Sequence, residues 1–467
     1  MLSKTDFLLY LDAPMHLWAK AHDALEDKSH SLYEQHLFQQ GQQVESLARD
    51  YLEDILLPQY DRGKLIWQAT YDDGQFEIRA DALILDRAAQ CYDLYEIKSS
   101  TSVHTEHEYD VTFQVMLLEG LLNLKNVYIL HIDKTYQQGD ELDIARFFTL
   151  DEISEKVEKR RADVDQWQKE AWAVTQMEKP HPKFACTKPQ SCPCPSLCHP
   201  NLPERPIYNI PYIGRKAAQL REMGITAIED IPFNFNLNIK QKKHVQAVKS
   251  GKAVIDRAAI QDSLSNLQFP LYFLDYETFN PAVPMYPGYR PYEHIVFQYS
   301  LYRLIEPDTP LQHADCLVIE DGDPAPKVVP HLMANLGETG SVVVWNKSFE
   351  EGRNRDLAEH CPDYADQLTE INTRLFDLMR IFKDGHYVHP DFHGSASLKA
   401  VLPVLCPDLD YENLAIKDGE QAMLTWYWLQ QGEIPLEQRA EIEAAMREYC
   451  KRDTYGMVAI WEYLCAL

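Results

Sequence analysis

The segment that most restricts the fold of this chain is rich in both proline and cysteine. Between Pro180 and Pro206 the prolines are dense, and four of the ten cysteines lie within Cys186–Cys198. Proline fixes φ and lacks an amide hydrogen, so helices and strands should stop there. A chain of 467 residues is also longer than one hydrophobic core usually organises. The sequence therefore predicts about two or three domains, with this segment at a boundary.

The clustered cysteines predict a metal site. They are Cys186, Cys192, Cys194 and Cys198. A disulfide framework is typical of small secreted chains, whereas here the other cysteines are scattered singly. Thiolates this close can bind one Zn²⁺ or an iron–sulfur cluster, and their spacing does not choose between the two. Unligated thiols are the alternative, but in a proline-rich loop they would be prone to oxidation.

Hydropathy and charge restrict the class of protein. No apolar run approaches the roughly 18 residues of a membrane span, and the N-terminus lacks a secretory signal, so we expect a cytoplasmic protein without a membrane partner. The formal charge of −27 argues against nonspecific coating of nucleic acid. It does not exclude a nuclease, because metal-binding carboxylates add negative charge at active sites.

One stretch is basic. Residues 201–260 hold ten Lys or Arg against five Asp or Glu, a local charge of +5. Two short helical segments around Gly214 and Gly224 resemble a helix-hairpin-helix, whose turns can contact phosphates, although an ordinary helical connector fits equally well. The cations that we expect to contact nucleic acid are Arg215, Lys216, Lys240, Lys242 and Lys243.

The first candidate active site lies in two predicted strands. Asp81 falls in the strand-like run 76–85, and Glu96 in the run 92–97. Side chains on one face of a strand repeat every two residues, so Glu96 and Lys98 point the same way. Two carboxylates can hold a metal ion that activates water, and an ammonium can stabilise the developing charge. The alternative for an isolated Glu-x-Lys is a surface hairpin.

This order of residues resembles the RecB-like branch of the PD-(D/E)XK nucleases. In that family a helical His or Glu, then Asp, Glu-x-Lys and a helical Gln build the active site. The resemblance implies that Glu45 and Gln114 join Asp81, Glu96 and Lys98. It also implies that Asp81 and Glu96 bind Mg²⁺ or Mn²⁺.

The same resemblance bears on the cysteines. CRISPR-associated and helicase-linked relatives often carry a 4Fe–4S cluster, which makes that cluster the preferred interpretation and zinc the alternative. Those relatives commonly take one cysteine from an N-terminal segment. Here the matching segment, Lys4–Trp18, has no thiol, so Cys194 is the expected fourth ligand. Such a cluster would cross-link only its own loop.

The second candidate site combines three separate motifs. An apolar strand, Leu271–Phe279, contains Asp275 and Glu277 on one face. The predicted strand 342–345 precedes Glu350, and Tyr449 and Asp453 lie four residues apart on the terminal helix. Each motif alone is common in ordinary strands and helices.

In this order the motifs resemble the DEDDy 3′–5′ exonucleases of RNase H-like fold. There, four acids bind two metal ions and the tyrosine helps to position water. The resemblance implies that Asp275, Glu277, Glu350 and Asp453 bind metal and that Tyr449 orients water. The second motif normally carries Asp, so Glu350 lengthens that ligand arm by about 1.5 Å.

The predicted fold class is α/β and multidomain, and the pairing resembles an uncharacterised bacterial family that joins these two domain types. The predicted domains are residues 1–178 (RecB-like nuclease with a PD-(D/E)XK core), 179–205 (cysteine segment), 206–260 (basic helical connector) and 265–467 (RNase H-like exonuclease). We expect a metal-dependent deoxyribonuclease acting on DNA ends or single strands, with RNA left open. One alternative is a nucleic-acid-binding scaffold in which one or both sites have decayed, the C-terminal site first because of Glu350. Another is a zinc-dependent module with structural carboxylates.

Overall fold

The computed structural model describes residues 1–26 and 31–467. They form a mixed α/β protein of two compact units, which confirms the expected multidomain α/β class at this level. Unit 1 comprises residues 1–201 and 281–292, and unit 2 comprises residues 202–280 and 293–467. In these ranges we find no helix that is both long enough and apolar enough to cross a membrane.

Unit 1 is built on one mixed sheet. Its strands are β1 (Leu2–Ser3), β2 (Lys64–Asp72), β3 (Phe76–Asp86), β4 (Cys91–Lys98), β5 (Leu124–Ile132) and β6 (Phe148–Glu152). Its helices are α1 (Lys4–Asp12), α2 (Pro14–Ala21), α3 (Leu32–Tyr51), α4 (Thr105–Leu118), α5 (Ile144–Phe147), α6 (Ser154–Thr175) and α7 (Pro195–Cys198). The strand order is β1-β3-β4-β5-β6, and β2 also pairs with β3.

Both faces of this sheet are buried. Leu83 and Leu94 belong to the core on one face, whereas Ala82 and Tyr95 belong to the core on the other. β3 and β4 are antiparallel with Ala82 opposite Tyr95, which brings the neighbouring residues Asp81 and Glu96 to the same end of the two strands. Polar side chains at that end are therefore surrounded by protein.

A segment from a distant part of the sequence completes the core of unit 1. Residues 281–292 follow a strand of unit 2, yet Ala282 is fully buried in a core cluster of unit 1. The Ala282 amide donates to Gln40 Oε1 at 2.7 Å, and the Gln138 amide donates to the Tyr289 carbonyl at 3.0 Å. Unit 1 is therefore not continuous in sequence.

Unit 2 holds the remaining elements. Its strands are β7 (Val254–Ile255), β8 (Leu271–Phe279), β9 (Ile295–Leu304), β10 (Gln312–Leu317), β11 (Ser341–Val344), β12 (Leu375–Asp377) and β13 (Tyr387–Val388). Its helices are α8 (Arg215–Glu222), α9 (Ile239–Ser250), α10 (Arg257–Leu264), α11 (Ala325–Asn335), α12 (Lys347–His360), α13 (Ala365–Arg374), α14 (Arg380–Lys383), α15 (Leu398–Leu405), α16 (Gly419–Gln430) and α17 (Leu436–Cys465).

The five-stranded sheet of unit 2 has the order β10-β9-β8-β11-β12. β8 is antiparallel to β9 and parallel to β11. The sequence of β8 is apolar along most of its length. This suits the central position of β8, because a strand that is covered on both faces gains little from alternating polar residues. Its two carboxylates therefore lie at the middle of the sheet rather than at an edge.

The basic stretch folds with unit 2. Ile207, Leu220 and Ile228 are fully buried in a small core of their own. Gly214 and Gly224 adopt φ of 50° and 76° at the two turns, a conformation that residues with a Cβ adopt at a cost. This part of the chain is thus an ordered helical region.

The turn before β11 yields a stability prediction. Gly340 has φ +90°, and a Cβ there would lie 2.0 Å from the Pro270 carbonyl oxygen. Gly432 has φ +69° with open space around it. We expect Gly340→Ala to lower the free energy of unfolding of unit 2 by about 2 kcal/mol more than Gly432→Ala, measured by thermal and denaturant unfolding. Equal losses would mean that the turn relaxes without cost.

Candidate active sites and metal centre

Unit 1 brings its predicted acidic and basic residues together. The Ile97 amide donates to Asp81 Oδ2 at 2.9 Å, which links β4 to β3 at the site. Lys98 Nζ lies 2.7 Å from Glu96 Oε1, and Gln114 Nε2 donates to Glu96 Oε2 at 2.8 Å. Glu96 is 1% exposed. The antiparallel strand pair and the following helix α4 thus converge on one buried carboxylate.

Glu45 reaches the same site from helix α3. It lines a cavity of about 480 Å³ with Asp81, Glu96 and Lys98. Its carboxylate accepts a hydrogen bond from Gln68 Nε2. All five residues predicted for this site are therefore near one another, through either a hydrogen bond or a shared cavity.

Two further residues of this site were missed by the sequence analysis. Lys4 Nζ lies 2.8 Å from Glu96 Oε1, and Asp110 Oδ2 lies 2.6 Å from Lys98 Nζ. Asp110 precedes Gln114 by four residues on α4, and this spacing places both side chains on one helix face. The sequence could therefore have indicated Asp110. Lys4 carried no comparable signal, because only the fold brings the N-terminus to β4.

The two lysines balance much of the negative charge of this site. Burial would raise the pKa of Glu96, but the ammonium groups of Lys98 and Lys4 outweigh it and hold that pKa below its ordinary value. Asp81 receives less compensation, and burial together with the Glu96 charge raises its pKa to about 7. A divalent cation in this site therefore competes with ammonium groups for the carboxylate oxygens.

The cysteine segment forms a compact group of donor atoms with a fourth partner that differs from the expected one. One ligand atom each from His16, Cys186, Cys192 and Cys198 lies within 4.8 Å of the others, and all four residues are buried. Cys194 remains adjacent, with its Sγ 3.7 Å from Cys198 Sγ. Proteins bind metal through such His and Cys groups. The described residues thus offer a His/Cys₃ site in place of a four-cysteine loop.

His16 connects the N-terminal helices to the cysteine loop. It lies on α2 with Nε2 3.5 Å from Cys192 Sγ, and its Nδ1 lies 2.8 Å from Asp12 Oδ2. A carboxylate on the far nitrogen of a ligating histidine is the usual outer partner in metal sites, because it orients the ring and raises its basicity. Histidine is itself a metal ligand, so the segment 4–18 contained a signal that a search for thiols alone overlooked.

Unit 2 collects the second set of predicted acids around β8. Ligand atoms of Asp275, Glu277 and Cys450 lie within 4.8 Å of one another. Asp453 is 9% exposed and accepts a hydrogen bond from the Tyr411 hydroxyl. Gly419, the first residue of α16, lies beside both Tyr449 and Glu277. A Cβ built on Gly419 would be 3.8 Å from Tyr449 Oη and 3.8 Å from Glu277 Oε2, so the two side chains are near each other.

Glu350 approaches this cluster from helix α12. It is 2% exposed, and its Oε2 has no hydrogen-bond partner among the described residues. Burial and then the Asp275 charge raise its pKa well above the ordinary value. A buried carboxylate oxygen without a donor is costly unless a cation or a proton satisfies it. Glu350 therefore suits a cation ligand.

The acids of unit 2 repel one another more than they are compensated. Burial, and after it the charge of Asp453, raises the pKa of Asp275 well above its ordinary value. Burial, and after it the charges of Asp275 and Asp453, raises the pKa of Glu277 in the same way. Lys399 acts in the opposite direction on these acids. Converging carboxylates of this kind are stabilised by a bound cation, which removes both the repulsion and the desolvation penalty.

Three residues of the unit 2 site escaped the sequence analysis. Tyr411 bonds to Asp453, Cys450 faces the two acids of β8, and the Lys399 ammonium lies 5.4 Å from the Tyr449 ring centroid. Cys450 follows Tyr449 directly, so its position was readable from the motif. Tyr411 and Lys399 come from loop and helix positions that only the tertiary fold brings to α17.

The cations predicted to contact nucleic acid differ in their surroundings. Arg215 and Lys242 are exposed. Lys216 donates to Gln241 Oε1, Lys240 lies 2.9 Å from Asp384 Oδ1, and Lys243 donates to the Gly385 carbonyl. These last three are engaged in contacts within unit 2.

A family model matches a stretch of the chain that lies mostly in unit 2. Residues 272–397 match the family described as "Domain of unknown function (DUF2779)". This stretch contains Asp275, Glu277 and Glu350 but not Tyr449 or Asp453.

Two curated bacterial proteins are similar to the chain. The "Uncharacterized protein MG366 homolog" of Mycoplasma pneumoniae is 27% identical over 208 residues, which cover 40% of the chain and 31% of that protein. The "Uncharacterized protein MG366" of Mycoplasma genitalium is 24% identical over 246 residues, which cover 49% and 37% respectively. The chain thus spans about a third of the length of these relatives. No solved structure matches the chain significantly.

The His/Cys₃ group leads to a prediction about metal content. We expect His16→Ala to release most of the metal that the purified wild type retains after dialysis against a chelator, because it removes one of four donors. Asp12→Ala should weaken metal binding roughly 10- to 100-fold by freeing the ring of His16. Cys194→Ser is the matched control and should retain metal, as measured by elemental analysis. Loss in Cys194→Ser with retention in His16→Ala would restore the four-cysteine interpretation.

The acid cluster of unit 2 leads to a second prediction. Asp275→Asn removes one of several repelling charges, so the metal-free protein should gain about 1 kcal/mol of stability. The same variant should lose the rise in melting temperature that Mn²⁺ produces in the wild type, since it lacks a ligand. Asp262→Asn, on the exposed surface of α10, is the control and should change neither quantity. An undiminished Mn²⁺ response in Asp275→Asn would argue against this site.

Proposed function

We propose that the protein is a metal-dependent nuclease that hydrolyses phosphodiester bonds of DNA, at ends or in single strands. The observation that carries the proposal is the cluster of buried carboxylates on β8, α12 and α17, whose repulsion Lys399 only partly offsets. Such clusters are typical of enzymes that bind divalent cations next to a phosphate. The cleavage chemistry is therefore assigned first to unit 2.

Each residue of the unit 2 site has a role in this proposal. Asp275, Glu277, Glu350 and Asp453 would hold Mg²⁺ or Mn²⁺, which supplies an activated water and stabilises negative charge on the phosphate. The Tyr449 hydroxyl, held near Glu277, would orient the attacking water. Lys399 adds positive charge beside Tyr449 and would favour the approach of a phosphate. Glu350 is included because it is buried on α12 and interacts with the charge of Asp275.

The arrangement of strands supports a specific nuclease fold for each unit. In unit 2 the acid-bearing strand β8 is central, with antiparallel strands on one side and parallel strands on the other, which supports an RNase H-like domain. In unit 1 an antiparallel pair carries Asp81 and the Glu96/Lys98 pair, and helix α4 supplies Gln114, which supports a PD-(D/E)XK domain.

One observation favours a second function for unit 1. Lys4 and Lys98 both contact Glu96, so this carboxylate is already paired with ammonium groups. A site balanced in this way binds a divalent cation less readily than the cluster of unit 2. We therefore propose unit 1, and not the C-terminal site that the sequence favoured, as the domain that binds nucleic acid without cutting it.

The metal at the His/Cys₃ group is proposed to be zinc. A tetrahedral zinc ion places its nitrogen and sulfur donors roughly 3.5–3.8 Å apart, and His16 Nε2 lies 3.5 Å from Cys192 Sγ. In a 4Fe–4S cluster each thiolate binds a different iron, so the ligands must stand further apart. The compact donor group therefore supports a single ion over the cluster that the family resemblance favours.

Cleavage assays with end-labelled DNA and RNA in Mg²⁺ or Mn²⁺ test the proposal. We expect Asp275→Ala to reduce cleavage at least roughly 100-fold, because transition-state stabilisation depends on the acids that hold the cation. Lys98→Ala should leave most cleavage intact if unit 1 only binds. Asp262→Ala and Lys125→Ala, both at exposed positions, are the matched controls and should behave like the wild type.

The opposite pattern would assign the chemistry differently. Loss of cleavage in Lys98→Ala with full activity in Asp275→Ala would place the nuclease in unit 1. Failure of the wild type to cleave single- or double-stranded DNA or RNA with either cation would overturn the enzyme proposal and leave a nucleic-acid-binding scaffold.

A further inference from the structure

Unit 2 contains a cavity that is separate from the acid cluster and differs from it in chemical character. It measures about 470 Å³ and lies between the basic connector and the loop that precedes α15. A volume of this order is typical of sites for small organic ligands. Its lining combines Tyr212, His244, Phe382, Lys383, Tyr387 and Phe392. It is therefore rich in aromatic rings and carries positive charge.

Tyr212 lines this cavity from an exposed turn with a strained backbone. Its side chain is 80% exposed, and its backbone adopts φ 53°, a conformation that costs free energy for a residue with a Cβ. The buried side chain of Gln241 holds this turn, since Nε2 donates to the Pro211 and Tyr212 carbonyls at 3.2 and 3.1 Å. The fold thus maintains a strained turn that exposes an aromatic ring.

His244 supplies a polar atom that the fold leaves unused. The residue is 3% exposed, it lines the cavity, and its Nε2 has no hydrogen-bond partner among the described residues. Burial lowers the pKa of His244 to about 4, so the ring is neutral near pH 7 and can donate or accept one hydrogen bond. A buried polar atom without a partner is costly, and a ligand would satisfy it.

Aromatic rings pack closely in the wall of the cavity. The rings of Phe382, Tyr387 and Phe392 form a mutual cluster with centroid separations of 5.8–6.0 Å. Gly394 closes the wall against the connector, because a Cβ there would lie 1.6 Å from the Asn209 carbonyl oxygen. The connector and the 389–397 loop are therefore packed into one preformed surface.

We propose that this cavity binds the base of an unpaired nucleotide, with the Tyr212 ring as the stacking surface and His244 Nε2 as the hydrogen-bond partner of the base edge. Aromatic rings stack on bases of any sequence, and cations beside them contact the phosphate. Lys383 also lines the cavity and would supply such a cation. A purely apolar ligand would leave His244 unsatisfied and gain nothing from the lysine.

This inference rests on the proposed function in one respect: it takes a nucleic acid as the ligand class of unit 2. It names a binding place outside the acid cluster, built from residues that the cleavage proposal does not use. Binding can therefore be measured without cleavage, in the presence of a chelator that removes divalent cations.

The test is fluorescence anisotropy of a labelled short oligodeoxynucleotide in EDTA, with the full chain. We expect Tyr212→Ala to weaken binding roughly tenfold, within the range for loss of one base–aromatic stack. Tyr212→Phe keeps the ring and should bind like the wild type. His244→Leu keeps the approximate volume and should also weaken binding, and an unchanged melting temperature separates this loss from unfolding.

Competitors identify the source of the base. If a free nucleoside monophosphate displaces the probe, one nucleotide is sufficient for binding. If only an unlabelled oligonucleotide displaces it, the base must belong to a strand. Both outcomes support the site. Equal affinity of the wild type, Tyr212→Ala and His244→Leu, or equal competition by an abasic oligonucleotide, would overturn it. Cleavage that fails while Tyr212-dependent binding persists would overturn the proposed function alone.

Discussion

Buried carboxylates are the feature on which both candidate sites depend. An ionised carboxylate loses a large hydration free energy when it is buried, so a fold retains it only with a cation, a proton or several hydrogen-bond donors nearby. Glu96 in unit 1 and Glu277 in unit 2 are 1% and 8% exposed. Each lies on a largely apolar strand, and burial by itself disfavours the charged form of its carboxylate. Their presence therefore points to function rather than to packing.

The two units satisfy this requirement differently. In unit 1 the cations belong to the chain itself, because Lys4 and Lys98 contact Glu96 directly. In unit 2 the acids of β8 face Asp453, Glu350 and a thiol, and Lys399 compensates them only in part. The acids of unit 1 are thus paired with lysines of the chain, whereas those of unit 2 are only partly compensated, and the proposed division between binding and metal-dependent chemistry rests on this difference.

The His/Cys₃ group joins two parts of unit 1 that are far apart in the sequence. His16 lies near the N-terminus and the three cysteines lie after α6, yet their donor atoms converge. A metal ion held there would connect α2 to the proline-rich loop, where regular backbone hydrogen bonds are scarce. This arrangement differs from a loop stabilised only by its own cysteines, because one of the four donors comes from helix α2.

Much of the local structure was determined by the sequence alone. Strand-like sequence runs predicted β3, β4, β8 and β11, and the order of the motifs identified the acids and Tyr449 as candidate site residues. This succeeded because residues close in sequence share a strand face or a helix face, and those periodicities are properties of the backbone. The tertiary structure alone decided which distant residues join them: Lys4 at Glu96, His16 at the cysteines, Tyr411 at Asp453, and residues 281–292 in the core of unit 1. These contacts depend on how elements pack, and packing is set by shape and burial across the whole fold rather than by spacing along the chain.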